Sequence, residues 1–156
     1  MKYFVCALII LVTSLACDRK EVSSEFQYQV DVNYIYEKHY NRDWDTSKIA
    51  EELVGKWQWL ACYTSGFGGE RMNCFSNEVN LELEFLKNNK MIIYKNGKTD
   101  AETWWRIEPF SDTEYKLTMP SPIRQVNGVI LFYDDMVTFR NSIVDGNDNY
   151  FARISN

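Results

Sequence analysis

The chain has 156 residues, enough for one domain with a single sizeable core. Hydrophobic residues make up 46% and aromatic residues 15%, which excludes an intrinsically disordered chain. The 17 basic residues against 22 acidic ones form no basic cluster, which argues against a nucleic-acid partner, since phosphate binding needs a positive patch.

The first element is the stretch "MKYFVCALIILVTSLAC". Lys2 supplies a positive start, residues 4–12 are almost purely apolar, and small Ala16 stands immediately before Cys17. The run is too short to span a bilayer comfortably and has the layout of a secretory signal. Its Ala-Cys exit resembles the lipobox of bacterial lipoproteins. That resemblance implies a diacylglycerol on the Cys17 thiol, cleavage just before it and loss of Cys6. It implies a protein held in the lipid bilayer by acylated Cys17, at the cell membrane or outer membrane, facing the periplasm or the cell surface. Each buried acyl methylene adds about 0.8 kcal/mol to such an anchor. An ordinary signal cut near Ala16, releasing a soluble protein, is the alternative. Under the lipobox resemblance only Cys62 and Cys74 remain as thiols, and an oxidising compartment favours a disulfide between them over two free thiols.

The chain therefore divides into a signal peptide at 1–16, a tether or extra strand at 17–47, and a β domain at 48–156. In residues 26–34, Phe26, Tyr28, Val30, Val32 and Tyr34 alternate with polar residues, a strand pattern, although Phe26, Val30 and Tyr34 would also align on a helix. "TSKIAEEL" reads as one or two helical turns capped by Thr46 or Ser47. From Leu53 onward the pattern is β. "LVGKWQWLACY" sets Leu53, Gly55, Trp57, Trp59 and Ala61 on one face. "VNLELEF" sets Val79, Leu81, Leu83 and Phe85 inward against Asn80, Glu82 and Glu84. Asn88-Asn89 and Asn96-Gly97 read as turns, and "AETWWRIE", "EYKLTM", "GVILFY", "DMVTFR" and "NYFARI" follow as further strands. About eight short strands at this spacing predict an all-β, antiparallel barrel or sandwich.

The stretch "ELVGKWQWL" is similar to the Gly-x-Trp first-strand signature of lipocalins, and the whole resembles small lipocalin-like lipoproteins of bacteria. The resemblance runs from about Leu53 to Ser155 and includes Thr113-Glu114-Tyr115, similar to a family turn. It implies an up-and-down barrel plugged at its closed end by Trp57, with Gly55 allowing a close approach and Arg153 packing over the indole. It implies no particular ligand, because fold does not give function.

Constellations for catalysis are weak, and no catalytic residue is expected. A nucleophile needs an adjacent base, and His39 is the only histidine. Glu82 and Glu84 fall on the solvent face, while Asp134, Asp135, Asp145 and Asp148 sit in turn sequences. "DGNDN" lacks the ligand spacing of a calcium loop, and "SGFGG" (Gly66, Gly68, Gly69) lacks the Lys-Ser/Thr of a phosphate loop. Neither metal nor cofactor is expected. The aromatics Trp59, Phe85, Trp105 and Tyr115 should point inward, either filling the barrel or lining a cavity for a small hydrophobic molecule. Trp104 falls on the polar face with Glu102 and Arg106. It reads as a sugar platform, a protein contact, or the floor of a groove covered by the N-terminal segment, the last being favoured. The expected function is a membrane-anchored lipocalin-like lipoprotein that binds a small hydrophobic ligand or acts as a non-enzymatic envelope module. The alternative is a lipoprotein that binds carbohydrate, or one that binds or inhibits a protein partner through its loops.

Overall fold

The computed structural model describes the backbone of residues 31–66, 69–75, 79–144 and 146–154, and their side chains except at 65–66, 69–75 and 144. The signal segment, Cys17, the first part of the expected N-terminal strand and the Cys74 side chain lie outside the described residues.

Two helices precede the strands: α1 (Val32–Tyr40) and α2 (Thr46–Leu53). The strand expected over residues 26–34 does not hold at its described end, because Val32 and Tyr34 belong to α1. Asp31 is the reason. Its carboxylate accepts the amides of Asn33 and Tyr34, at 3.0 and 3.3 Å, and so starts a helix inside an alternating pattern. From there Ile35 and His39, four residues apart, are the buried positions. α2 agrees with the expected turns, but its cap is Asp45, which accepts the amides of Ser47 and Lys48 at 2.9 Å each.

The strands are β1 (Gly55–Gly66), β2 (Gly69–Phe75), β3 (Leu81–Phe85), β4 (Lys90–Lys95), β5 (Lys98–Trp104), β6 (Arg106–Pro109), β7 (Tyr115–Thr118), β8 (Val129–Tyr133), β9 (Met136–Arg140) and β10 (Asp148–Arg153). All pairings are antiparallel, in the order β5-β4-β3-β1-β10-β9-β8-β7-β6, with β2 added beside β1. The protein is thus an all-β, up-and-down meander curled into a half-barrel. Among the described residues the first and last strands pair, and the sheet's two ends are β5 and β6. Ten strands, counted over those same described residues, replace the expected eight or so for two local reasons. β1 is long enough to be faced by β3 along Gly55–Gln58 and by β2 along Ala61–Gly66. "AETWWRIE", expected as one strand, breaks at Trp105, whose amide turns away to the Asn89 carbonyl at 2.9 Å.

Turn chemistry explains the tight connections. Asn89, Asn96 and Gly97 carry φ values of 64°, 51° and 75°, the left-handed region that Asn and Gly tolerate. β3 alternates between buried and half-buried residues, as expected, although Val79 just before it is 38% exposed. In β1 the alternation fails after Trp59. A bulge between Trp59 and Ala61 turns Ala61, expected inward, to the outer cluster with Leu60 and Tyr63, and brings Cys62 into the inner one. β8 and β10 are buried on both faces near their centres, because α1 packs on the outside against Leu60, Leu131 and Tyr150 through Ile35.

The inner face closes at one end on α2. Ile49 and Leu53 are fully buried there, against a cluster containing Trp57, Phe85, Trp105 and Phe132. Trp57 and Arg153 are paired in register, and the guanidinium lies 4.2 Å from the indole centroid. Arg153 also donates to the Glu52 carbonyl (2.7 Å), the Val54 carbonyl (3.1 Å) and the Glu52 carboxylate (3.1 Å). Trp57 Nε1 donates to the intervening Leu53 carbonyl at 2.7 Å. Gly55 sits at φ 129°, and a Cβ there would stand 3.1 Å from Arg153 Nη1.

Substitutions at this end should show that geometry in stability. Trp57→Ala should cost about 3–5 kcal/mol, as for other buried aromatics. Arg153→Ala should cost less, and the double mutant should be milder than the sum by about 0.5–2 kcal/mol, the value of the cation–π contact. Gly55→Ala should cost about 1–3 kcal/mol through its backbone conformation alone. Chemical denaturation of the wild type and the four variants checks this, and strictly additive losses would contradict a shared contact.

Candidate functional site

At the end opposite α2, a cavity of about 560 Å³ opens between the strands and the β7–β8 connection. Its apolar wall comes from Trp59 on β1, Leu81 on β3, Ile93 on β4 and Ile123. Its polar rim comes from Lys95, Asp100, Arg124, Asn147 and Asn149. The strand register puts these residues at one height. Cys62 faces Asn149 across β1 and β10, while Leu81 faces Lys95 across β3 and β4. A single turn of 3-10 helix, Arg124–Val126, crosses the mouth with Val126 buried as its anchor.

Most of the rim's hydrogen-bonding capacity is used within the protein. Trp59 Nε1 donates to Asn149 Oδ1 at 3.2 Å, and Asn149 Nδ2 donates to the Asn147 carbonyl at 3.1 Å. Thr64 Oγ1 donates to Asn147 Oδ1 at 2.6 Å, and Asn147 Nδ2 donates to Cys62 Sγ at 3.4 Å. Lys95 and Asp100 form an ion pair at 2.6 Å. What remains is an apolar recess ringed by satisfied polar groups, with the exposed Arg124 beside it. Such a recess offers shape and apolar contact.

The sequence-expected residues are placed unequally. Of Trp59, Phe85, Trp105, Tyr115 and Trp104, Trp59 is the one in the cavity wall. Phe85 and Trp105 pack edge to face at 5.4 Å, and Phe85 pairs with Gly55, at the closed end. Tyr115 donates to the Trp44 carbonyl at 3.0 Å, just ahead of α2. All three point toward the core as expected, but they fill the bottom and do not line the mouth. Trp104 is 54% exposed, with Lys90 Nζ 5.4 Å from its ring, and the described part of the N-terminal segment packs on β8 instead of over it. Gly55, Trp57 and Arg153 meet at the closed end, and Cys62 stands opposite Cys74 in the β1–β2 register.

Sequence reasoning missed Asn147, Asn149, Ile123 and Arg124. Asn149 carried a usable signal: it precedes Phe151 and Arg153 at period two on β10, so a polar residue had to face inward and find a partner. Ile123 and Arg124 lie after Pro-Ser-Pro, where only a turn was legible. His39 is fully buried away from this cavity, and its Nδ1 accepts the Phe132 amide at 3.0 Å, so it is not placed as a base here. Among the described residues no group of three or more His, Cys, Asp or Glu is placed to hold a metal ion. Compared with known proteins, the chain matches no family model, no curated protein and no solved structure at a significant level.

Proposed function

We propose that this protein is a membrane-anchored, lipocalin-like lipoprotein that takes a small hydrophobic ligand into the open end of its half-barrel. The cavity beside Trp59 carries the reading: its volume of about 560 Å³ lies in the range of small-molecule sites, and its wall is apolar. The Trp57–Arg153 contact beside Gly55 supports the likeness to lipocalins, and the Ala16-Cys17 exit supports the anchor. The anchor would hold the domain at the cell or outer membrane, facing the periplasm or the surface. The register of Cys62 with Cys74 supports a bridge across β1 and β2, which would add on the order of 3 kcal/mol by closing the hairpin.

Protein purified under native conditions should release a small apolar molecule on solvent extraction, read by mass spectrometry. The emptied protein should bind a neutral hydrophobic dye such as N-phenyl-1-naphthylamine. Ala101→Trp, which fills the cavity from β5, should weaken that binding at least tenfold without lowering the melting temperature. Unchanged dye binding in this variant would remove the cavity from consideration.

The anchor and bridge have their own checks. Cys17→Ser should abolish labelling by a fatty-acid probe while leaving the domain folded; continued labelling would refute lipidation at that residue. In the mature wild type, Cys62 and Cys74 should alkylate only after reduction.

The exposure of Trp104 favours a second reading, in which carbohydrate stacks on its indole between the charged Lys90 and Arg106. Glycan-array binding lost on Trp104→Ala and kept in Ala101→Trp would select it over the cavity.

A further inference from the structure

We propose that α1 is an acid-sensitive clamp: protonation of His39 releases it from the outer face of β8 while the half-barrel stays folded. The chain passes from outside the sheet to inside between α1 and α2, where β7 and β8 diverge after their Lys116–Val129 pairing. Beyond that point the Phe132 amide has no β7 partner and donates to His39 Nδ1 at 3.0 Å. A backbone amide can only donate, so Nδ1 must be the unprotonated nitrogen and the proton must sit on Nε2. Nε2 is buried and, among the described residues, has no hydrogen-bond partner. An imidazolium would set an N–H against the Phe132 N–H and place a charge where nothing receives it.

Among the described residues the surroundings offer no compensation. Trp44 stacks on the imidazole at 5.2 Å, and Tyr40 and Phe132 flank it at 5.1 and 6.4 Å. Glu114, from the β6–β7 connection, is engaged by the Tyr40 hydroxyl, and Asp134, from the β8–β9 turn, by the Tyr34 hydroxyl. Tyr40 itself is pushed up to about 12 by burial and Glu114, so it stays a donor. Arg140 on β9 covers Tyr36, and Arg42 adds positive charge on the His39 side. Burial first and Arg42 second lower the His39 pKa to about 4. The docked state therefore favours neutral imidazole, and docking weakens as pH falls from the ordinary histidine range toward that value.

α1 is poorly placed to survive the change. It has nine residues, too few to persist as an isolated helix, and Ile35 and His39 are its buried side chains. Its release would uncover Leu60, Leu131 and Tyr150 on the outer sheet.

Amide hydrogen exchange on the full mature chain tests this, after correction for the intrinsic effect of pH. Opening of Val32–Tyr40 should rise about twenty-fold from pH 7 to pH 5, given a docked pKa of about 4 and an ordinary value of about 6.5. Amides of β1 and β10 should stay protected at both values. His39→Gln, whose amide oxygen can accept the Phe132 N–H without titrating, should remove the pH dependence. Unchanged exchange of α1 in the wild type, simultaneous opening of β1 and β10, or an unaltered pH response in His39→Gln would each overturn the clamp. Should that variant not fold, ring nitrogen shifts in the wild type decide: an imidazole that gains its proton while α1 remains protected also overturns it.

Discussion

The closed end depends on how three successive carbonyls are satisfied. α2 leaves the carbonyls of Glu52, Leu53 and Val54 without helical partners, as every helix end must. Arg153 takes the first and third, and Trp57 takes the second. One of these donors comes from the first paired strand of the meander and the other from the last, and the two face each other in the β1–β10 ladder. A short helix end is thereby bound to the join that curls the sheet. The guanidinium over the indole adds a contact between the donors themselves. Gly55 stands between helix and strand because its conformation and its missing Cβ leave room for Arg153.

That anchoring organises the packing above it. With its carboxyl end tied down, α2 pushes Ile49 and Leu53 inward to complete a floor with Phe85, Trp105 and Phe132. The same chain then has to reach α1 on the opposite side of the sheet. The crossing is covered by aromatic rings, with Trp44 between Phe132 and His39 and its Nε1 donating to the His39 carbonyl at 2.8 Å. The half-barrel therefore has two unlike walls. β8 to β10 are covered from outside by α1, whereas β3 to β5 show solvent a polar face of ion pairs such as Lys56–Glu82 and Lys90–Glu102.

Periodicity made much of this legible, and its physical content also marks where legibility stopped. Alternation reports which face of a sheet a side chain occupies. It identified Trp57, Trp59, Phe85 and Trp105 as inward, and Asn96-Gly97 marked a turn where the backbone needed unusual angles. Alternation does not report height along the barrel, which depends on register. For Phe85, Trp105 and Tyr115 it therefore leaves filling and cavity lining equally open, and the register places them at the floor, where they fill. It is also blind to single-residue insertions, so the bulge after Trp59 reversed the expected face of Ala61 and brought Cys62 into the inner cluster. In residues 26–34 a strand pattern and a capping signal overlapped, and the local hydrogen bonds of Asp31 decided for helix at Val32.

The division between floor and mouth bears on what the proposed site could recognise. At the floor, polar atoms are spent on closing the fold, and apolar side chains fill the space between them. At the mouth, Asn147, Asn149, Thr64 and Trp59 form a hydrogen-bonded chain along β1 and β10, and Lys95 is held by Asp100. A ligand entering there would gain little by competing for groups already paired, since exchanging one hydrogen bond for another yields small net energy. Its affinity would come from covering Trp59, Leu81, Ile93 and Ile123, at roughly 25 cal/mol for each Å² of apolar surface removed from water. Directional recognition would fall to Arg124, which has no carboxylate within ion-pair distance among the described residues. A recess of this make-up would discriminate by size and apolarity first and by polar detail second.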